Sequence, residues 1–403
     1  MQSKAPGNWL FRIALAVNLG LAIAYLLLGV IAFQQGLLWR ADFTAFYTGG
    51  LMVREDAGKQ LYDYELQTRF QQELLQGKSF YEGLLPFNYP PHVALLFAPL
   101  AHFSRSTAFA VGLVVQFGLL LWLLKNLLRL SKNWLRTEKI LLISGVLGFF
   151  PLFLNMLLGA FSLFVVDCLL AWYLALKEQR EARSGLWLVT GSVKPQTVII
   201  PGLVLFFGRR WRAILAITLG GLGLMLFTAI FLGVDIWADF IRILRLSSSF
   251  FDEYGIYPSE MYNLKGTLAL WLGNSHKSLI NTISLAGFLL AIGVTAWLWR
   301  GPWQPTEPDF ELRLAVTLIL GILLGMHVNP QDSLLLVMPA LLFYEYLRRM
   351  NLPRKTYGVF LWACLPLFLV GEFSIQARLG IRLPVVAMLV LFGWSGKALW
   401  DRR

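Results

Sequence analysis

The residues of this 403-residue chain best suited to chemistry sit where apolar runs stop. Asp42 directly follows such a run and stands among Trp39, Phe43, Phe46 and Tyr47. A carboxylate held against aromatic rings at a membrane surface is partly desolvated, which raises its proton affinity towards that of a working base. Its competing role is to cap a helix over residues 43–53, since aspartate is a favoured N-cap. His327 lies in GMHVNPQD (residues 325–332), a short turn between two apolar runs. An imidazole there could hydrogen-bond or protonate a phosphate oxygen, or simply cap a helix end. Lys194 is embedded in an apolar stretch, where an ionisable group is costly and marks a functional position by default. Its structural alternative is an ion pair with Asp167, itself inside an apolar run. Arg378 and Arg382 flank a glycine late in the chain and could clamp a phosphate.

What positions these groups is a membrane bundle. Apolar residues make up 57% of the chain and charged residues only 14%, with mean hydropathy +0.62, which excludes an ordinary soluble domain. Runs long enough to cross about 30 Å of hydrocarbon recur along the sequence. They predict an all-α polytopic membrane protein with about ten full spans and one broken segment, forming a single integral-membrane domain over residues 1–403. The first run, residues 10–33, is too long for a signal-peptide core and lacks a small-x-small cleavage site after it, so it is expected to stay as a span.

Lysine and arginine collect at run ends, and the net charge is +12. By the positive-inside rule the clusters at 125–139, 177–183, 209–212, 348–355 and 402–403 mark the cytoplasmic face, with both termini inside. Two long loops then fall outside, at about 34–105 and about 234–276, each with an amphipathic helical stretch. Residues 186–207 carry Pro195 in the middle and basic flanks at both ends. They are expected to enter and leave on the cytoplasmic face as a re-entrant pair broken at Pro195, with Lys194 mid-stretch. Asp42 and His327 both fall at the outer edge and could share one cavity. The cations cluster at run ends rather than on one basic face, which argues against nucleic acid. Cys168 and Cys364 lie in apolar runs, no His/Cys metal spacing is present, and neither a P-loop nor a GxSxG motif occurs.

Taken together, Asp42 with its aromatic followers, GKQLYD (58–63), FNYPP (87–91), KPQ (194–196), RRWR (209–212) and the late His327 resemble glycosyltransferase family 87, the polyprenol-phosphate-dependent mannosyltransferases of the GT-C superfamily. The resemblance runs over most of the chain and rests on the order and spacing of short motifs. It implies a GT-C-like bundle and inverting transfer of a hexose, expected to be mannose, from a polyprenyl-phosphate donor to a glycan or glycolipid acceptor. On that resemblance Asp42 is the base that deprotonates the acceptor, and His327 stands near the donor phosphate. Lys59, Asn88, Tyr89, Lys194, Arg378 and Arg382 are further donor- and substrate-binding candidates. No cofactor or metal is expected; the partners are the lipid-linked donor, the acceptor and membrane lipid. The site would face outward from a bacterial plasma membrane. One departure is Leu158-Gly159-Ala160, where many relatives carry Gly-Gln. The competing class is a transporter or flippase, since broken helices with buried ions also mark carriers.

Overall fold

The computed structural model describes residues 8–36, 42–78, 83–351, 358 and 380–400. Among these the chain is helical, and the β features amount to one isolated bridge between Glu253 and Ile256. Five helices are long and apolar enough to cross a membrane: α1 (Asn8–Gln34), α5 (Arg105–Leu130), α11 (Trp211–Leu232), α14 (Lys277–Leu298) and α17 (Leu383–Trp400). In between lie α2 (Phe43–Arg54), α3 (Tyr64–Leu75), α4 (Pro91–Phe97), α6 (Arg136–Leu147), α7 (Phe150–Leu158), α8 (Ser162–Lys177), α9 (Glu181–Thr190), α10 (Pro195–Phe207), α12 (Ile236–Ser247), α13 (Leu264–Leu272), α15 (Phe310–Leu323) and α16 (Val337–Arg349). Helices α6 and α7 meet at a 41° bend and supply a sixth crossing if taken together.

The long helices turn apolar side chains outward, among them Val114 at 71% and Ile230 at 78% exposure. A surface of this kind suits lipid and would be a liability in water. The chain is therefore an integral membrane protein.

The expected count of about ten spans meets five or six by length and hydropathy, and the expected run at 359–370 lies outside the described residues. The shortfall has a physical source. Helices α8, α15 and α16 are only 16, 14 and 13 residues long. They are buried along nearly their whole length by the surrounding helices, so protein rather than lipid sets how long they must be.

The segment after Asp42 folds inward. Helix α2 buries Phe43, Phe46, Tyr47 and Met52, and Phe46 packs edge-on against Tyr89 with ring centres 4.6 Å apart. Gly50 permits the approach of α4, since a Cβ there would meet the Phe97 carbonyl carbon at 2.5 Å. The amphipathic stretch expected in this loop is α3, and its buried face carries two glutamines beside Leu75. Gln67 accepts from the Phe87 amide at 2.8 Å, and Gln71 both accepts from Leu85 N (2.9 Å) and donates to Leu85 O (2.6 Å). These side chains stand in for a β-strand partner and satisfy the extended backbone that leads to Asn88 and Tyr89.

Five central helices, α8, α9, α10, α15 and α16, run between two polar ends. Helix α8 starts at Ser162, directly after a turn in which Gly159 adopts φ +65°. It ends at Lys177, whose ammonium is 2.7 Å from Glu311 Oε1 at the start of α15. Arg349, at the end of α16, completes this clasp on Glu311, which is 1% exposed. Helices α9 and α10 form a hairpin whose open ends are joined by Arg210 and Glu181 at 2.8 Å, with Lys194 at its tip.

Candidate active site

At the end of the bundle opposite the Glu311 clasp, three chain segments meet around Lys194. Pro195 begins α10, and the residue before a proline is pushed out of helical conformation. Lys194 accordingly has φ −123° and ψ 84°, which lets its side chain leave the hairpin axis. Its ammonium pairs with Asp332 Oδ1 and lies 3.3 Å from Ser162 Oγ. Ser162 donates to the same Asp332 oxygen at 2.6 Å, and the Asn329 amide donates to Oδ2 at 3.1 Å. The expected alternative partner, Asp167, takes no part. Both its oxygens are buried and lack a hydrogen-bond partner among the described residues. Sequence depth alone could not distinguish the two aspartates; the 3-10 turn over residues 330–336 settles the pairing by carrying Asp332 to the hairpin tip.

Gln331, the neighbour of Asp332, donates from Nε2 to Asp42 Oδ2 at 2.9 Å. Asp42 occupies the N-cap position of α2 but makes no side-chain capping bond. Its carboxylate is turned towards the Lys194 cluster instead. The two aspartates are held in contrasting states. Burial pushes Asp42 up to about 6; the Lys194 ammonium and the Gln331 hydrogen bond pull against this, and the Asp332 charge adds to it. Burial also opposes ionisation of Asp332, yet Lys194, Ser162 and the Asn329 amide hold it below the ordinary carboxylate range. One carboxylate is locked as an anion while the other is poised to take a proton near neutral pH, a division that often separates acid–base roles.

His327 stands five residues before Asp332 and is half-buried. Burial lowers its pKa to about 4, with Asp332 opposing and Lys194 and Lys265 reinforcing the shift. A neutral imidazole favours the hydrogen-bonding role over the protonating one, since it offers an N–H and not a positive charge. A further cation near His327 is Lys265, which is 5% exposed. Burial lowers its pKa, and its ammonium lies 5.2 Å from the Phe251 ring centre with no carboxylate or hydrogen-bond partner among the described residues. Tyr262 N donates to Val328 O at 2.8 Å and Asn263 Nδ2 to Gly325 O at 2.7 Å, tying the start of α13 to the His327 turn. Gly266 is needed at this join, since a Cβ would fall 1.9 Å from Met261 O.

The other expected site residues are placed unequally. Tyr89 packs on Phe46 within electrostatic reach of Asp42 and Asp332. Asn88 accepts from Tyr64 Oη at 2.8 Å and so holds the loop. Arg382 is 3% exposed, with its guanidinium 5.4 Å from the Tyr262 ring centre, near the α13 join. Lys59 is exposed beside Gly233, apart from the cluster. Arg378 lies outside the described residues. Sequence reasoning missed Gln331, Asp332, Ser162 and Lys265 as site members. The Asn-Pro-Gln-Asp run, with a cap residue three positions before an acid, was the available signal for the first two.

From this cluster a narrow apolar cleft of about 30 Å³ leads between α10 and α15. His327 and Asp332 stand at one end, with Ile200, Pro201, Leu318 and Ile322 along the walls. Among the described residues no group of three or more His, Cys, Asp or Glu could hold a metal ion.

Fold and site together define an integral membrane protein with a buried ionisable cluster and a narrow apolar cleft at one end of its bundle. The model of glycosyltransferase family 87 matches residues 87–339, more than half of the chain, so the chain belongs to that family and is a glycosyltransferase. The matched region contains Asn88, Tyr89, Lys194, Lys265 and His327, and begins after Asp42. No curated protein matches the sequence.

Proposed function

We propose that this glycosyltransferase is of the inverting, polyprenyl-phosphate-dependent kind, moving a hexose, specifically mannose, onto a glycan or glycolipid hydroxyl. The observation that carries the reading is the placement of Asp42. Its carboxylate is bonded at Oδ2 by Gln331, has a raised proton affinity, and stands by the cluster from which an apolar cleft departs. A lipid-linked donor needs an apolar path for its isoprenoid chain and polar groups for its phosphate, and this narrow cleft marks where such a path would open.

In the proposed step Asp42 takes the proton of the acceptor hydroxyl, whose oxygen forms a bond to the sugar's anomeric carbon from one face. The bond from that carbon to the phosphate oxygen breaks on the other face, and polyprenyl phosphate leaves. Attack opposite the leaving group inverts the anomeric centre, as in inverting hydrolases. The Lys265 ammonium and a His327 N–H would stabilise the charge that develops on the departing phosphate. Lys194, already committed to Asp332, acts by positioning Gln331 and Asp42. That pairing also absorbs the buried cation that gave the transporter reading its weight. Tyr89 and Arg382 are proposed as substrate-side contacts, and Asn88 as a support for the loop that carries Tyr89. All these groups sit at the end of the bundle away from the cationic clusters, so by the charge rule the site faces outward from a bacterial plasma membrane, with both termini cytoplasmic. The chain acts as one membrane domain.

The test is transfer from radiolabelled polyprenyl-phosphate mannose to a panel of lipid and glycan acceptors, with wild type beside Asp42→Asn. Transfer by wild type that is lost in a folded mutant supports the reading. Equal transfer by both removes Asp42 as base, and transfer only from a nucleotide sugar removes the lipid-linked donor.

A further inference from the structure

The opposite end of the bundle gathers arginines around two helix starts. Helices α8 and α10 finish in turns of the same construction. Gln179 (φ 57°) and Arg209 (φ 55°) each take a left-handed conformation at the helix end. Arg180 N then donates back to Ala175 O at 2.8 Å, and Arg210 N to Leu205 O at 2.9 Å. Such turns close a helix and reverse the chain within two residues. Each arginine immediately becomes the N-cap of the next helix, Arg180 for α9 and Arg210 for α11.

The two helix starts lie side by side around an open bowl of about 460 Å³. Four arginines line it, namely Arg180, Arg183, Arg210 and Arg212, against one carboxylate, Glu181. Arg210 is spent on structure: it binds Glu181, donates to the Trp303 carbonyl and stacks on the Trp303 ring at 4.2 Å. Arg180 approaches Glu178 at 3.4 Å. Arg183 and Arg212 are exposed and have no ion pair or hydrogen bond among the described residues. Two helix N-termini, with their unpaired first-turn amides, add to the positive potential of the same bowl.

What lies beside the bowl selects the ligand. One turn beyond Arg183 on α9 is Leu186, 50% exposed, and one turn beyond Arg212 on α11 is Leu215, 57% exposed. Trp211, 58% exposed, stands at the junction, where indole rings anchor membrane interfaces. Residues three apart share a helix face, so each unpaired arginine sits directly above an apolar side chain turned to lipid. We infer that this bowl binds the phosphate headgroup of an anionic phospholipid in the adjoining leaflet, with Arg183 and Arg212 as its ligands and the acyl chains along Leu186 and Leu215. Basic pockets between membrane helices recognise anionic headgroups by this combination of charge and apolar wall. The occupied bowl would bridge α9 to α11 at the open end of the hairpin that carries Lys194.

The experiment reads lipid retention, not transfer, so it stands apart from the assignment of the sugar chemistry. Purified protein is equilibrated with mixed phosphatidylcholine and phosphatidylglycerol micelles, and the lipids that stay bound are counted by native mass spectrometry. Wild type is expected to retain phosphatidylglycerol in preference to phosphatidylcholine. An interfacial arginine contributes about fivefold to such binding, so Arg183→Gln with Arg212→Gln should lower retention roughly 25-fold. Lys132→Gln with Arg136→Gln, which removes two exposed charges outside the bowl, should leave it unchanged. All three proteins must elute as single symmetric species. Equal phosphatidylglycerol retention by wild type and the Arg183/Arg212 variant would overturn the site. Displacement of the lipid by millimolar inorganic phosphate, or binding of phosphate without lipid, would overturn the lipid assignment in favour of a soluble anion.

Discussion

If Asp42 is the base, the pH dependence of transfer follows from its surroundings. With its pKa at about 6, roughly a tenth of the carboxylates are ionised at pH 5 and nearly all at pH 7.5, so wild-type turnover should fall about tenfold between those values. Gln331 stabilises the ionised form through one hydrogen bond at 2.9 Å. Gln331→Leu removes that bond, and the acid limb should move up by about 1 pH unit. Asp42→Asn should lose about 10²–10⁴ in rate and lose the acid limb with it. Loss of fold does not mimic this pattern. A group whose pKa is raised in the native state stabilises the protein most below its unfolded value and loses that contribution as pH rises through about 6. Asp42 therefore favours the native state on the very side where turnover falls. Initial rates of sugar transfer in nanodiscs, from pH 5 to 8.5, would be measured beside a thermal melt at each pH. A flat wild-type profile, an unshifted limb in Gln331→Leu, or substantial turnover by Asp42→Asn would each refute the reasoning.

Three further outcomes follow from the same cluster. Because His327 is neutral, its contribution is an N–H, so His327→Ala should raise the donor KM about tenfold, while His327→Gln, which keeps a donor, raises it less; steady-state kinetics with the lipid-linked donor decide this. Lys194→Ala leaves Asp332 buried without its cation and should destabilise the protein by about 3–5 kcal/mol, whereas Lys194→Met combined with Asp332→Leu should recover much of the melting temperature but not the activity. Gly50→Ala should cost about 1–3 kcal/mol in a thermal melt, because the new methyl group meets the backbone of α4.

The long helices were legible because lipid imposes a length and a composition on them, as in residues 10–33 for α1. Helices α8, α15 and α16 were harder to bound, since protein contacts replace lipid around them and relax the length rule. The aromatic surroundings of Asp42 and the isolation of Lys194 in an apolar stretch both marked positions that the fold brings together. The partner of Lys194 was not legible. Asp167 and Asp332 both offered a buried carboxylate, and only the path of the turn over residues 330–336 distinguishes them. Lys265 was hidden for a similar reason: it looks like a loop cation until Tyr262 and Asn263 tie it to the His327 turn. Helix α3 was legible as an amphipathic stretch, but its buried glutamines serve backbone groups, a use that hydrophobic periodicity does not register.

The buried Lys194–Asp332 pair is best understood through what it orients. Both side chains are only 3% exposed, and desolvating two charges offsets most of their attraction, so the pair is a poor source of net stability. Its geometric effect is larger. It fixes the hairpin tip to the turn that carries Gln331, and the peptide bond between Gln331 and Asp332 passes that constraint directly to the group holding Asp42. The same pair sets the field at Asp42, with the ammonium lowering and the carboxylate raising its proton affinity, so that the two charges partly cancel there. A cation alone at this place would keep Asp42 ionised but weaken it as a base; an anion alone would keep it protonated. Holding both, with the α9–α10 hairpin anchored at its far end by Arg210 and Glu181, leaves burial to decide the proton affinity of the proposed base.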